Sequence, residues 1–289
     1  MSIVITGVTG LLGSSLLNHA ADFGYDAIQL TRDDIANMKS PNDLAIHLTS
    51  YNVKVLIHCA ANTNVEFCED NKVQCYKDNV ALTEKLALVC KIMQIKFVFI
   101  SSTGVYGKYQ DTPYIDYDDV NPTTIHHKSK VIAENVVSKL VSDYLIIRTG
   151  WLFGGSWDMS KNFVANRIKE AYCSEGYIKS DASQVGNPTF VDDLSSNIFN
   201  LIEKKYSGMF NCVNTGRASR FDYVTEIIKL SGLNVSVLPI DGASFNRKAK
   251  VSHNESAINL KLDYFGINMM PCWKKSLAQY IESIRSEYE

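Results

Sequence analysis

No C-x-x-C pair occurs in this chain. Its seven cysteines, Cys59, Cys68, Cys75, Cys90, Cys173, Cys212 and Cys272, stand singly. An odd count without framework spacing argues against a disulfide scaffold and reads as reduced thiols. No apolar run is long enough to span a bilayer. The apolar N-terminus lacks a basic stretch and runs at once into glycines, so it reads as a first strand and not as a signal peptide. A cytoplasmic protein is therefore expected. Charge of neither sign is in excess, with 29 Lys and Arg against 31 Asp and Glu. That balance argues against nucleic acid or a membrane surface as the main partner. Internal repeats, low-complexity tracts and charged tails are missing. His19, His47, His58 and His253 have no ligand-like spacing, so no catalytic metal is expected.

What is present is enough apolar material for a real core, 46% of 289 residues. The first half alternates short apolar runs with helical patterns. Strands are expected at residues 3–5, 27–30, 53–58, 96–101 and 143–148. Helices are expected at 11–23, 43–50, 73–93 and 125–141. Runs rich in β-branched residues and separated by helices imply an α/β fold, a Rossmann-type doubly wound parallel sheet. After Trp151 the rhythm breaks into longer connections. Residues 1–155 are read as a dinucleotide-binding domain and 156–289 as a smaller C-terminal substrate lobe, with some segments returning to the sheet.

The turn Gly7-Val8-Thr9-Gly10-Leu11-Leu12-Gly13 follows the first strand and opens a helix. The first glycine allows the tight turn, and the second lets backbone approach a pyrophosphate. The third lets helix and strand pack closely, with the helix N-terminus facing the phosphates. A glycine triplet alone is weak; placed here, with the alternating pattern behind it, it predicts NAD or NADP binding. The second strand ends in Thr31-Arg32-Asp33-Asp34. Arg32 suits a 2′-phosphate and tilts the reading towards NADP, although an exposed loop arginine is equally common. The third strand ends in Cys59-Ala60-Ala61, where small side chains leave room for a cofactor or for close strand–helix packing.

The segment Ile100-Ser101-Ser102-Thr103-Gly104-Val105-Tyr106-Gly107 resembles the fourth-strand end of extended short-chain dehydrogenases. Further along stand Arg148-Thr149-Gly150-Trp151-Leu152-Phe153-Gly154, Asn162-Phe163 and Gln184-Val185-Gly186-Asn187-Pro188-Thr189. With residues 211–214 and Pro271-Cys272-Trp273, these are similar to the dTDP-4-dehydrorhamnose reductase branch, over nearly the whole chain. The resemblance implies a nucleotide-sugar reductase, in which a hydride passes from NAD(P)H to a 4-keto carbon and a Tyr-x-x-x-Lys helix protonates the oxygen. It assigns Ser102 to the reacting oxygen, Lys130 to the nicotinamide ribose, and Ile100 to the cofactor wall. It places Trp151 against the sugar, with a buried core position the equal alternative; by their places after the third and fourth strands, Thr63 and Asn64, and Ser102 and Thr103, are candidates to face the sugar hydroxyls. A homodimer is the assembly entertained.

Where the resemblance places tyrosine, this chain has His126. Positions 126 and 130 are i and i+4 on a helix and face one cleft. Tyrosine, with a pKa of about 10, needs a lysine beside it; histidine, at about 6.5, does not. A neighbouring cation pushes His126 further towards neutral imidazole, a usable base and a poorly placed acid. Loss of the correct acid costs about 10²–10⁴-fold in rate. Three readings stay open. His126 is a working replacement; or the proton comes from elsewhere, such as His127, water or a substrate hydroxyl; or the chain is a cofactor-binding scaffold or regulatory subunit. His127 itself reads as a solvated helix residue. A dehydratase or epimerase is a further alternative that would consume no net NAD(P)H. Two departures bear on the substrate. Gly104 stands where the resemblance has an aromatic residue, and Ser252-His253 where it has Arg-Pro. Arg217 and Arg220 offer positive charge for a diphosphate, against a solvated-loop reading.

Overall fold

The computed structural model describes residues 1–107, 110–242 and 247–288. Five strands of the first half, β1 (Ser2–Thr6), β2 (Asp26–Leu30), β3 (Val53–His58), β4 (Lys96–Ser102) and β5 (Tyr144–Thr149), lie parallel in the order β5-β4-β3-β1-β2. The strand Gly208–Asn211 pairs parallel outside β5. Ile3, Val4 and Ile5 are wholly buried, as are Phe97, Val98 and Phe99. Burial on both faces is why these strands read as continuous apolar runs and not as alternating ones.

Each face of the sheet has its own core. One joins Ile3, Ile5, Ile57 and Val98 to Leu12 and Leu16 of helix Leu11–His19 and to Leu194 and Ile198 of helix Val191–Glu203. The other joins Val4, Leu56 and Phe97 to Leu44, Leu86 and Val137 from three more helices. Helix Val191–Glu203 is fixed to the first helix by polar contacts as well. Ser15 Oγ lies 2.6 Å from an Asp192 carboxylate oxygen and 2.8 Å from Ser195 Oγ. A segment far along the chain thus covers the sheet beside the glycine turn. A third core, built on Phe153, Tyr223, Trp273 and Tyr280, lies in the second half.

Three local differences from the sequence reading matter for the site. The helix expected over residues 73–93 runs as Lys72–Tyr76, a π-helical turn Lys77–Ala81 and Leu82–Met93. An inserted residue of this kind leaves no mark in apolar spacing, and it re-aims the side chains next to it. A short helix Val65–Asp70, capped by Asn64 Oδ1 accepting from Phe67 N–H at 3.0 Å, follows β3. Arg32, at the tip of β2 where no helix was expected, begins helix Arg32–Asn37, whose capping box pairs Thr31 with Asp34. That cap was present in the sequence as Thr-x-x-Asp ahead of Ile35.

Between β1 and β3 the strand order reverses. Strand β2 lies on one side of β1, while β3, β4 and β5 run out on the other. In an open parallel sheet the ends of strands at such a point are not covered by a crossover, and a crevice opens there.

Candidate active site

The crevice is a cleft of about 1340 Å³ along the C-terminal ends of β1 to β5. At one end lie all residues of the glycine turn. Gly7 has φ +71°, and a Cβ there would stand 2.7 Å from Ala60 N and 2.9 Å from the Cys59 carbonyl carbon. A Cβ on Gly13 would stand 2.1 Å from Gly7 O. Only glycines allow the turn to lie this close to the end of β3 and to the first turn of the helix. The helix is capped by Gly10 without any side-chain bond, so its leading N–H groups face the cleft wall. A cradle that a single methyl would fill is the geometry a pyrophosphate needs, and a reduced or oxidised nicotinamide dinucleotide fits it. Cys59, Ala60 and Ala61 line the same wall; their small size also serves the contact with Gly7. Arg32 is exposed at the tip of β2 and lines the cleft with Thr31 and Asp33. The Asp34 carboxylate is already held by Thr31 N–H at 2.9 Å and Thr31 Oγ1 at 2.6 Å.

At the other end, Ser102, His126 and Lys130 are brought together with Ile100, Thr63 and Trp151. Helix Ile125–Leu140, capped by Thr124, presents His126, His127 and Lys130, all buried. Lys130 Nζ donates to the Ile100 carbonyl at 2.7 Å and lies 4.6 Å from the Phe99 ring centre. Burial brings its ammonium down to about 8, against weaker support from Cys59, Glu134 and Cys75. Ser102 Oγ accepts the Gly104 N–H at 3.1 Å. That bond uses a lone pair and leaves the hydroxyl hydrogen for the cleft.

His126 is held through Nδ1, which lies 2.9 Å from the Asn62 carbonyl oxygen. A carbonyl can only accept, so Nδ1 carries the hydrogen and Nε2 carries a lone pair. Burial, then His127 and Lys130, push the imidazole well below its ordinary pKa, in the direction expected from the sequence. The ring is neutral at pH 7 and offers an acceptor. The π-helical turn supports this arrangement from behind. Asn79 Nδ2 donates to the Asn62 carbonyl at 3.1 Å and to Ser129 Oγ at 3.0 Å, while its Oδ1 accepts Asn62 N–H at 2.7 Å.

Three readings of single residues change, those of His127, Thr103 and Arg220, while Arg217 keeps its exposed-loop reading. His127 is no solvated helix residue: it is buried and lines the cleft. A Cβ on Gly104 would stand 2.2 Å from its ring, so His127 takes the space that a side chain at 104 would need. Thr103 does not line the cleft; it is buried, with Oγ1 only 2.5 Å from where a Cβ on Gly150 would be. The alternation of side chains after β4 sends Ser102 outward and Thr103 inward. Arg217 donates to the Asp111 carbonyl at 2.9 Å and stays outside the cleft lining. Arg220 lies inside it, with its guanidinium carbon 3.5 Å from the centre of the Trp151 ring.

Trp151 is both a core residue and a cleft residue. Its backbone has φ +46°, its Nε1 donates to Glu255 Oε2 at 3.0 Å, and Gly186 lies so close that a Cβ there would be 2.4 Å from the indole. Arg220 stacks over the ring, its Nε donates to Gln184 Oε1 at 3.4 Å, and both Trp151 and Arg220 line the cleft. Burial lowers the Arg220 pKa to about 10, with partial compensation from Glu255. Glu255 had no signal in the sequence, because nothing in Asn254-Glu255-Ser256 announces that it folds back 104 residues to Trp151. Ser252 Oγ donates to the Gly107 carbonyl at 2.6 Å and His253 Nε2 lies 2.8 Å from Asp111 Oδ1, so this pair ties loops together. Among the described residues no group of three or more His, Cys, Asp or Glu side chains is placed to hold a metal ion. Nor is any helix long and apolar enough to cross a membrane.

Comparison with known proteins gives the same picture. Residues 1–286 match the family model described as the RmlD substrate binding domain. The chain is 31% identical over 285 residues to a dTDP-4-dehydrorhamnose reductase of Mycolicibacterium smegmatis, covering 98% of this chain and 85% of that one. It is 27% identical over 282 residues to the spore coat polysaccharide biosynthesis protein SpsK of Bacillus subtilis, covering 97% and 96%. Among solved structures it superposes with a TM-score of 0.91 on the dTDP-4-dehydrorhamnose reductase of Bacillus anthracis in complex with NADP, at 27% identity over 98% of this chain and 99% of that one.

Proposed function

The chain belongs to the RmlD substrate binding domain family, and from that premise we propose that it reduces the keto group of a deoxysugar carried on a nucleoside diphosphate, of the dTDP-4-dehydrorhamnose type. NADPH is the preferred reductant. The observation that carries this reading is the continuity of one cleft, from the glycine turn to Ser102, His126 and Lys130.

The bound dinucleotide supplies the hydride; the chain supplies position and charge. Gly7, Gly10, Leu11, Leu12 and Gly13 hold the pyrophosphate, with Cys59, Ala60, Ala61 and Ile100 along the wall. Arg32, exposed in the cleft lining at the tip of β2, meets a 2′-phosphate, although Asp33 lines the cleft beside it. Lys130, pinned on the Ile100 carbonyl, holds the nicotinamide ribose and places a positive charge beside the reacting oxygen. Ser102 turns its hydroxyl hydrogen to that oxygen. Residues 1–155 thereby carry the dinucleotide. Residues 156–289 supply the opposite wall, where Lys161, Arg167, Lys179 and Arg220 make a cationic surface suited to a diphosphate. Thr63, whose Oγ1 accepts from Lys161 Nζ at 2.8 Å, and Trp151 with its Arg220 cover flank the sugar. A cytoplasmic location and a homodimer belong to the same reading; sedimentation of the purified chain reads the second.

The test is NADPH oxidation by the purified chain with dTDP-4-dehydrorhamnose as the probe, followed by the absorbance of the reduced nicotinamide. Turnover that disappears in Lys130→Met is expected. NADPH binding with no oxidation by any nucleotide-linked keto sugar would establish a scaffold instead. Conversion of the sugar without net NADPH loss would establish an epimerase or dehydratase.

A further inference from the structure

We propose that His126 and His127 work as a donor–acceptor pair of opposite tautomers. His127 donates its Nε2 hydrogen to the keto oxygen beside Ser102, and His126 Nε2 accepts a hydrogen from a hydroxyl on the adjacent sugar carbon. This rests on the reductase reading and specifies the substrate as an α-hydroxyketone.

The His127 tautomer follows from Thr124. That residue is wholly buried, and its Oγ1 accepts the backbone N–H of His127 at 3.1 Å. Its own hydrogen then needs an acceptor. Among the described residues the one within reach is His127 Nδ1, at 3.1 Å. Nδ1 therefore holds the lone pair and the ring hydrogen sits on Nε2. The position, three residues into helix Ile125–Leu140, favours the neutral ring. His126 is the reverse, because the Asn62 carbonyl claims its Nδ1 hydrogen. No group among the described residues bonds Nε2 of either ring. The two rings are 5.0 Å apart at 63° to each other, and both line the cleft.

A lone pair on His126 Nε2 would repel a keto oxygen and attract a hydroxyl. Ser102 Oγ and the His127 ring both border the bare Gly104, the one on its N–H and the other where its side chain would stand, and a keto oxygen seated beside both would receive two hydrogens. A neutral imidazole at a helix N-terminus is a competent polariser of a carbonyl. In the reaction the hydride adds to the carbonyl carbon and the C–O π pair moves onto oxygen. The resulting alkoxide is held by Ser102 and His127 and takes its proton from a solvent water, whose hydroxide is neutralised in bulk solvent, so one proton is consumed per hydride transferred. Neither histidine changes protonation state.

The experiment combines steady-state kinetics, with NADPH and dTDP-4-dehydrorhamnose, and ring ¹⁵N spectra of the labelled protein. His127→Phe is expected to lower kcat by about 10²–10³-fold with little change in KM, the loss typical of one oxyanion donor. His127→Gln, whose amide nitrogen can stand near Nε2, recovers part of it. His126→Phe instead raises KM by roughly tenfold, the effect of one lost substrate hydrogen bond. The spectra show Nδ1–H for His126 and Nε2–H for His127, whether or not His127→Phe folds. An active wild type with the reverse kinetic pattern, or with Nε2–H on His126, overturns this proposal alone. A wild type that binds NADPH and never oxidises it removes the reductase reading and this one with it.

Discussion

At the glycine-turn end of the cleft, shape is set by backbone: two glycines whose missing methyls let the turn meet Ala60 and the first helix. At the histidine end, shape is set by hydrogen bonds between side chains and loops that are distant in sequence. Asn62 and Asn79 orient His126, Thr124 orients His127, and Glu255 and Arg220 fix Trp151. The first end tolerates no added atom and is indifferent to most side-chain chemistry. The second has room for exchange, as Gly104 and His127 show by sharing one space, but depends on which nitrogen carries a hydrogen.

The sharpest way to break the comparison is at the rigid end. Gly13→Val puts atoms into Gly7 O and is expected to weaken NADPH binding by on the order of 100-fold or more, as overpacking against backbone does. A fluorescence titration of the cofactor measures it. Retention of normal affinity would show that the turn can shift.

Next in size is Lys130, which belongs to both ends. Lys130→Met should lower turnover by at least about 10²–10³-fold, the range for loss of one preorganised charge, which takes it below detection in the same NADPH assay. Its ionisation gives a pH signature of definite sign. The folded pKa of about 8 lies below the unfolded value near 10.5. Between these values the unfolded chain binds one more proton, so stability rises with pH through that window. The gain relative to Lys130→Met is on the order of 3 kcal/mol when the whole shift is spanned. Turnover runs the other way and falls as pH passes 8 and the ammonium is lost. Urea unfolding of both proteins at pH 7 and pH 10, set beside a pH–rate profile, checks whether the two trends cross.

These contrasts explain what the sequence could show. Strands β1 to β5, the longer helices between them and the glycine turn were legible because burial on both faces and backbone sterics impose residue types locally, whereas the short helices Arg32–Asn37 and Val65–Asp70 were not. Spacing and resemblance also put Ser102 and Lys130 in one cleft, and both line it. The π-helical turn at Lys77–Ala81 was not legible, since one inserted residue does not alter apolar periodicity. Glu255 and the seat of His127 on Gly104 were not either, because each depends on a contact between segments far apart in the chain. His127 looked solvated for a related reason: the residue its ring packs against, Gly104, is a glycine, which leaves no pattern.

Smaller effects refine the histidine end and the cofactor choice. Arg220→Ala uncovers Trp151 and removes a cation from the cleft; KM for the nucleotide sugar should rise by about tenfold, the scale of a lost charge-assisted hydrogen bond. An unchanged KM would place the diphosphate elsewhere. Arg32→Ala should reduce the preference for NADPH over NADH by up to roughly fivefold, since an exposed charge pair contributes about 1 kcal/mol or less. Affinities for both cofactors, measured side by side, decide it.

The direct test of the account is isotope transfer. The purified chain is incubated with NADPH deuterated at the transferable nicotinamide position and with dTDP-4-dehydrorhamnose, and the sugar is analysed by mass spectrometry. One deuterium on the carbon that bore the keto group is predicted. A sugar without deuterium, from a protein shown to bind both ligands, would contradict it.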